Sequence, residues 1–419
     1  SLVGSEMCIR DSNRKIGLAV PRVVLPDEQV DMRKWAVVAC DQYVSEPKYW
    51  SEVEKYVGTS ASTLHIMLPE IYLGREDTKS RIEHTKKTMH YYFEDGVLMQ
   101  LPSGFVLVER TVRGKTRKGL MVLVDLDEFE YERGKKAIIR STEKTILERI
   151  PPRLDIRRGA LLEMPHILLL MDDKDDTVIG PIYEAKQRLA EVYNFELMMN
   201  GGRVAGYLVD DKELENNAIE AMLNLPEYNG MRFCMGDGNH SLATAKACYE
   251  KLKKNHQWEH IKDHPARYAL VELENLHDDS QQFEPIHRVI TGTDPEELIH
   301  ALKTECCSEE GQTIRCYYGK KEEVLHLNLH KHQLAVDKIQ TFLDKYLKDN
   351  SGCIDYIHGE DVLKELSKEE QTIGIELPAM EKDQLFPSVM TDGTLPRKTF
   401  SMGHACEKRY YIEGRKIQR

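Results

Sequence analysis

Short apolar runs of strand length alternate with amphipathic helical segments along most of this 419-residue chain. Residues 105–110 and 118–125 alternate apolar and polar side chains like two paired strands. Helices are predicted for 181–193 and 241–254, the second with one apolar face and lysines on the other. Segments of both periods in one chain predict an α/β or α+β protein with mixed sheets.

Changes in this pattern divide the chain into four consecutive regions. Residues 1–12 lack a signal-peptide pattern and any periodicity that continues into the chain, so we interpret them as a non-native leader. We predict an N-terminal α/β region at 13–135 and a core at 136–300 that contains the candidate site. A C-terminal α/β region of shorter, more polar elements is predicted at 301–419.

Composition argues against several classes of protein. The net charge of −12 provides no general attraction to nucleic acid or anionic membrane, and no apolar run reaches the roughly 18 residues of a membrane span. The nine scattered cysteines form no CxxC pair, which favours a cytoplasmic protein with reduced thiols. His256, His260 and His264 are spaced as zinc ligands are, but no further ligand completes a site. No pattern indicates haem or flavin.

The segment GDGNHS, residues 236–241, joins the apolar run 233–235 to the predicted helix. A glycine-rich turn at a helix N-terminus binds anions, because backbone N–H groups and the helix dipole both favour negative charge. Asp237 is a candidate Mg²⁺ ligand. The candidate phosphate contacts are Gly236, Gly238, Asn239, His240 and Ser241. In the alternative interpretation, Asp237 or Asn239 only caps the helix and His240 faces solvent. The spacing is neither a Walker P-loop nor GxGxxG.

Two further groups of residues suit anion binding or proton transfer. Arg140, Arg149 and Arg153 carry guanidinium groups that can clamp a carboxylate or phosphate, and Glu143 lies between them as a candidate base for a substrate hydroxyl. The alternative for this segment is a solvated charged face.

His287 and Arg288 alternate with apolar residues on a predicted strand, and Lys398 lies in a basic segment near the C-terminus. Each is a candidate anion contact at the edge of a cleft. The alternatives are a structural strand histidine and a basic turn.

Six segments resemble the characteristic blocks of a bacterial family known as domain of unknown function 1015. They extend from about residue 15 to 415 and read WAVVACDQYVSEPKYW, STLHIMLPEIYL, IRSTEKTILERIPPR, MGDGNHSLATAK, FEPIHRVI and LPRKTFSMGHACEKRYY. The family has no established activity. Its glycine turn resembles the DGHHR-type motif of free serine kinases in the ParB and sulfiredoxin-like superfamily, which implies a ParB/sulfiredoxin-like core within a larger mixed-sheet protein.

In that motif the turn and helix start hold a nucleotide or phosphate. Asp237, Gly238 and His240 match it, Asn239 replaces a histidine, and Ser241 stands where the superfamily has an arginine. The missing guanidinium would have to come from Arg140, Arg149, Arg153 or Arg288.

The resemblance favours an enzyme that transfers a phosphoryl group to a small molecule, with a nucleotide such as ADP or ATP and Mg²⁺ as cofactors. Serine or phosphoserine is the substrate suggested by analogy, and Glu143, Asp237 and His240 are the catalytic candidates. One alternative is a non-catalytic nucleotide-sensing or ParB-like DNA-associated module, for which four lysines at 246–254 offer a small basic patch. Another is a metabolite-binding protein without turnover.

Overall fold

The structure is a computed structural model that describes residues 15–143, 150–255, 261–392, 394–396, 398–403 and 405–418. The predicted leader, Arg149, His256 and His260 lie outside the described residues. Helices alternate with strands throughout, so the predicted α/β class is confirmed. In the parts of the chain that the structure covers, no helix is long and apolar enough to cross a membrane.

The regular elements are numbered here in chain order. The strands are β1 (Leu18–Ala19), β2 (Val24–Pro26), β3 (Val37–Val38), β4 (Leu98–Gln100), β5 (Phe105–Val112), β6 (Lys115–Asp125), β7 (Phe129–Glu130), β8 (Ile139–Arg140), β9 (Leu162–Glu163), β10 (Leu168–Met171), β11 (Ala190–Glu196), β12 (Arg203–Val209), β13 (Phe233–Asp237), β14 (Tyr268–Asn275), β15 (Phe283–Thr291), β16 (Cys307–Tyr318), β17 (Lys321–Leu327), β18 (Cys353–His358), β19 (Thr372–Glu376), β20 (Phe400–Met402), β21 (Tyr410–Tyr411) and β22 (Arg415–Lys416). The α-helices are α1 (Met32–Trp35), α2 (Pro47–Val57), α3 (Thr78–Glu94), α4 (Ile150–Arg157), α5 (Gly180–Glu184), α6 (Lys212–Asn224), α7 (Asn239–Asn255), α8 (Pro295–Cys306), α9 (Ala335–Asp349), α10 (Glu360–Leu366) and α11 (Leu385–Asp392).

Contacts divide the chain into two compact units. The first contains the described residues within 1–141, 145–281 and 404–419, and the second contains those within 142–144 and 282–403. The boundaries near residues 135 and 300 that the sequence suggests stay a prediction.

A ten-stranded mixed sheet organises the first unit. Its strand order is β11-β12-β5-β6-β14-β10-β13-β8-β7, with β1 paired to β6. Most neighbours are antiparallel, whereas β14 with β10, β13 with β8, and β8 with β7 are parallel. The predicted hairpin is β5 and β6, joined at Arg113 and Gly114.

The large sheet buries apolar side chains on both faces because successive residues of a strand point to opposite sides. Phe105 and Leu107 of β5 belong to one core, and Val106 and Val108 belong to the other. Helices α6 and α7 cover the Phe105 face, and Leu242 of α7 packs into that core. The predicted apolar face of α7 is therefore buried and fixes the helix against the sheet.

The second unit contains a six-stranded antiparallel sheet with the order β17-β16-β19-β15-β18, and β20 also pairs with β15. Asp294 caps the N-terminus of helix α8, and its side chain accepts a 2.8 Å hydrogen bond from the Glu296 N–H. Helices α8 and α9 are in contact, and Leu298 and Leu302 of α8 and Leu343 of α9 are buried.

Two predicted elements differ in the structure. The helix predicted for 181–193 is wrong, because α5 ends at Glu184 and 190–196 form β11, paired with β12. The ring of Tyr193 lies where a Cβ at Gly206 would be, so packing across the strands overrides local helix propensity. The helix predicted to begin at Ser241 begins at Asn239.

Candidate functional site

The segment 236–241 connects β13 to the 17-residue helix α7. Gly236 is the last strand residue but one rather than part of the turn, and the register of β13 with β10 shifts there, since Leu168 pairs with Asp237 and Leu169 with Met235. Such a shift redirects the side chains that follow. Gly238 alone forms the turn, with a φ of +82°, and its carbonyl accepts the Leu242 N–H at 3.0 Å.

Position 238 requires glycine because of a close contact with Ile167 as well as because of its positive φ. A Cβ at this position would lie 3.1 Å from the Cα of Ile167, which precedes β10. The absence of a side chain at Gly238 lets the start of β10 pack directly against the turn. His166 thereby comes within reach of the first turn of α7.

Asp237 forms a largely buried ion pair with Lys408. The Lys408 Nζ donates to the Asp237 Oδ2 at 2.8 Å, and the Gly238 N–H donates to the Oδ1 at 2.7 Å. Burial opposes ionisation of Asp237, but the Lys408 ammonium outweighs it and holds the pKa of the carboxyl below its usual value. Burial likewise opposes the charge on Lys408, and Asp237 raises the pKa of the amine above its usual value.

Arg110 on β5 holds the segment that carries Lys408. Its buried guanidinium donates to the carbonyls of Cys406, Glu407 and Lys408, at 2.7, 3.1 and 2.5 Å. The same group also donates to the Gly201 carbonyl at 2.9 Å. A charged donor shared among several main-chain carbonyls fixes the backbone, so the ammonium of Lys408 is directed by the sheet.

The other polar residues of the turn are also held by separate elements. The Ser141 hydroxyl, which follows β8, donates to the Asn239 Oδ1 at 2.6 Å. The Ser241 Oγ lies 3.1 Å from the His166 Nε2. The His166 Nδ1 in turn lies 2.8 Å from the Tyr411 hydroxyl. We call Ser241, His166 and Tyr411 the polar relay.

A cavity of about 150 Å³ lies beside the first turn of α7. Its lining includes the polar relay, Arg153 and apolar side chains of the first unit. A larger cavity, of about 540 Å³, lies between α2 and α3 and contains no residue predicted for the site.

The predicted arginines of the first unit have different surroundings. Arg140 is buried on β8 and donates to the Glu132 carbonyl at 2.9 Å, and burial lowers the pKa of its guanidinium. Arg153 forms an ion pair with Glu70 at the cavity wall. Arg149 is not among the described residues. His240 is the second residue of α7, and its carbonyl accepts the Thr244 hydroxyl at 2.7 Å.

The remaining candidates belong to the second unit. Glu143 forms an isolated parallel bridge with Leu395, and Lys398 is exposed with a φ of +57°. The His287 Nδ1 accepts the Leu377 N–H at 3.1 Å. Arg288 is fully buried, donates to the Gln340 Oε1 at 3.2 Å and to the Ile286 carbonyl, and stacks on Tyr356. The contacts of His287 and Arg288 therefore stabilise the second sheet.

The protein groups near Asp237 fit Mg²⁺ only in part. Among the residues that the structure describes, no three His, Cys, Asp or Glu side chains lie close enough to hold a metal ion. Magnesium is often bound by one or two carboxylates together with substrate phosphates. One carboxylate, that of Asp237, suits this second arrangement.

Three side chains around this segment, those of His166, Lys408 and Tyr411, are not among the residues that the sequence predicts for the site. Lys408 and Tyr411 lie in the segment LPRKTFSMGHACEKRYY, of which only Lys398 is a predicted site residue, and His166 lies outside all six family segments. No local sequence pattern reveals the ion pair, because Lys408 is 171 positions from Asp237. Only the fold brings the two charges together.

Comparison with solved structures finds distant similarities. A conserved hypothetical protein from Pyrococcus furiosus is 12% identical, with a TM-score of 0.34, covering 71% of this chain and 95% of that one. A free serine kinase in complex with AMP is 11% identical, with a TM-score of 0.36, covering 71% and 91%. A free serine kinase variant in complex with ADP is 11% identical, with a TM-score of 0.37, covering 74% and 95%. Similarity at this level does not identify an activity.

No curated protein sequence matches the chain. A family model does: the model described as "Protein of unknown function (DUF1015)" matches residues 24–346, which is most of the chain. The family resemblance inferred from the six sequence blocks is thereby confirmed. This chain belongs to the DUF1015 family.

Proposed function

We propose that this protein binds the phosphate groups of a nucleotide, or of another phosphorylated small molecule, at residues 236–241 and transfers a phosphoryl group to a small-molecule hydroxyl. The observation that carries the proposal is the largely buried Lys408–Asp237 ion pair beside the N-terminus of α7. A lysine ammonium and the positive end of a long helix there attract the same anion.

The proposed site binds phosphate by exchanging the ion-pair partner of Lys408. A phosphate oxygen can replace the Asp237 carboxylate beside Lys408, so that the buried ammonium is never left without a negative partner. Lys408 would then supply the positive charge that the related motif takes from the arginine replaced here by Ser241. Asn239, His240 and Ser241 would contact its oxygens, together with the Gly238 N–H that the displaced Asp237 releases.

The displaced Asp237 carboxylate is the group that would hold Mg²⁺, together with the phosphates of the substrate. Bound in this way, the ion would neutralise charge on the transferred phosphoryl group. Arg140, Arg149 and Arg153 stay candidate anion contacts. Glu143 and Lys398 stay proposals from the sequence, the first as a general base and the second as an anion contact. A cytoplasmic location is part of the same proposal.

The DNA-associated alternative receives less support from the lysines of α7. The Lys246 Nζ lies 3.7 Å from a carboxylate oxygen of Glu130. The Lys253 Nζ lies 2.7 Å from both Asp127 and Glu250. These acidic neighbours reduce the positive charge that a phosphate backbone would meet.

The test is calorimetric titration of the full chain with ADP, ATP, CTP and phosphoserine, with and without Mg²⁺. We expect binding of at least one nucleotide and loss of about tenfold or more in affinity for Lys408→Met, since one charge-assisted contact is worth about 1.5–3 kcal/mol. Lys251→Met, on the exposed face of α7, is the matched control. Absence of binding by all four ligands contradicts the proposal.

A further inference from the structure

The cavity beside Ser241 is walled mainly by apolar side chains. They come from separate parts of the first unit and include Ile66, Met67, Met89, Ile156, Leu162 and Leu270. Its volume of about 150 Å³ matches that of an apolar protein cavity large enough to bind benzene. A guest of this size has a compact apolar body.

The charged groups of the wall are already paired with one another. Arg153 pairs with Glu70, and the Arg157 Nη2 lies 2.6 Å from the Glu163 Oε2. Arg415 lies 2.8 Å from the other oxygen of Glu163. Burial opposes ionisation of Glu163, but Arg415 and Arg157 outweigh it and lower the pKa of the carboxyl. Because these charges satisfy one another, the wall favours a neutral guest over a zwitterion such as a free amino acid.

The polar relay gives this apolar cavity one reactive edge. Ser241 lines the cavity, and its hydroxyl contacts His166, whose other ring nitrogen contacts Tyr411. The Tyr411 hydroxyl accepts the Cys40 N–H at 3.1 Å, so it has a fixed position. Burial raises the pKa of Tyr411 well above its usual value, which keeps the phenol protonated. Of the three residues, the imidazole is therefore the one with a basic nitrogen that can take up a hydroxyl proton.

We propose that this cavity receives the phosphoryl acceptor, a neutral molecule with one hydroxyl on a small apolar body, and that Ser241 and His166 remove the hydroxyl proton. This inference rests on the proposed function, because the phosphoryl donor is the nucleoside triphosphate bound at 236–241.

The step balances without a further reactant. The acceptor oxygen forms a bond to the terminal phosphorus as the bond from that phosphorus to the leaving nucleoside diphosphate breaks. The acceptor proton passes to the Ser241 oxygen while the Ser241 proton passes to the His166 Nε2. The imidazolium, held by Tyr411 at its Nδ1, then releases its proton to solvent.

Benzyl alcohol is a suitable probe, with L-serine as the zwitterionic comparison. We expect benzyl alcohol to bind the full chain in the absence of nucleotide, and L-serine to bind more weakly. Ala160 lines the cavity, so Ala160→Leu fills part of it and should weaken binding of benzyl alcohol by about tenfold or more. Thermal unfolding of the variant checks that it is folded.

The relay is tested by ATP-dependent phosphorylation of benzyl alcohol. Ser241→Ala and His166→Gln should each lower the rate by about 100-fold, the usual range for loss of acid–base catalysis. Both variants should lower kcat and leave the KM for benzyl alcohol unchanged, which a purely structural role of the two side chains would not predict. Ser51→Ala, an exposed serine on α2, is the matched control.

Titration with nucleotide distinguishes a failure of this inference from a failure of the proposed function. If ADP binds but benzyl alcohol does not, or if Ala160→Leu leaves binding of benzyl alcohol unchanged, the cavity is not the acceptor site and this inference is overturned while the proposed function stands. If no nucleotide binds, both are overturned. If benzyl alcohol is phosphorylated equally by wild type and His166→Gln, the role of the relay is overturned.

Discussion

The turn at 236–241 in the first unit and the pair His287–Arg288 in the second contain similar residue types but have different surroundings. The turn follows the end of β13, and its polar side chains contact residues of other elements beside a cavity. The pair lies inside β15, which is hydrogen-bonded to β18 and β19 on its two sides. In α/β proteins, ligands bind where strands end. Position along the strand therefore separates a candidate site from a structural pair better than residue type does.

The contacts of the two regions differ accordingly. Arg288 and His287 satisfy their hydrogen bonds with Gln340 and with main-chain groups of the second sheet. Asp237 and Lys408 satisfy each other across 171 positions of sequence. An ion pair can exchange a partner for a ligand, whereas hydrogen bonds to main-chain groups inside a sheet cannot be exchanged without disrupting the sheet.

The largest expected effect tests the structural role of Arg288. Arg288→Met removes hydrogen bonds from a charged donor to the Ile286 carbonyl and Gln340, and should lower the free energy of unfolding by about 4 kcal/mol. We expect ADP affinity to stay unchanged. Urea unfolding followed by circular dichroism, with calorimetry, measures both. Arg315→Met, exposed in the same sheet, should have little effect. Loss of ADP binding in Arg288→Met would contradict the purely structural role of Arg288.

Lys408→Met should lower both the free energy of unfolding and the affinity for ADP. Removal of the ammonium leaves the partly buried Asp237 carboxylate without its cation, which should lower the free energy of unfolding by about 3 kcal/mol. Adding Asp237→Asn to this variant should recover part of that stability, because the uncompensated charge is gone. The same unfolding assay measures the single and double variants. Equal stability of Lys408→Met and wild type would show that the ion pair does not matter to the fold.

Alanine substitutions at two glycines measure the effect of the close contact between Gly238 and Ile167. Gly238→Ala should cost about 2 kcal/mol, because a φ of +82° disfavours alanine and the new Cβ meets Ile167. Gly74→Ala has a similar φ of +76° but no neighbour within 4 Å, so it should cost only about 1 kcal/mol. The difference between the two unfolding free energies measures the Ile167 contact. If the two costs are equal, that contact does not constrain the turn.

The smallest effects are two separate pH dependences. The pKa of Asp237 is below its usual 3.8, so its contribution to stability is complete above that pH and is lost as the pH falls through the lowered pKa. Burial lowers the pKa of His287 from 6.5, despite opposing effects of Glu376 and Glu360, so its protonation favours the unfolded state as the pH falls below 6.5.

Unfolding measurements between pH 7 and 3 resolve these two contributions. His287→Gln should reduce the loss of stability between pH 7 and 5, and Asp237→Asn should alter it only below about pH 4. A change between pH 7 and 5 caused by Asp237→Asn would contradict the assigned direction for that carboxyl.

Local patterns were sufficient for many elements of the fold. The β5–β6 pair and the apolar face of α7 follow from short-range periodicity, which each segment carries by itself. The helix predicted for residues 190–193 is wrong, because the packing of Tyr193 over Gly206 depends on a partner strand that no local pattern reveals.

For the candidate site, the sequence by itself determined the strand–glycine–helix junction, since Gly238 and the residues around it are contiguous. Only the tertiary structure decided what surrounds that junction: Lys408 beside Asp237, His166 and Tyr411 beside Ser241, and an apolar cavity at the same edge. The reason is physical. The strength of an ion pair and the chemistry of an imidazole depend on burial and on neighbours, and the fold alone brings those neighbours together from distant parts of the chain.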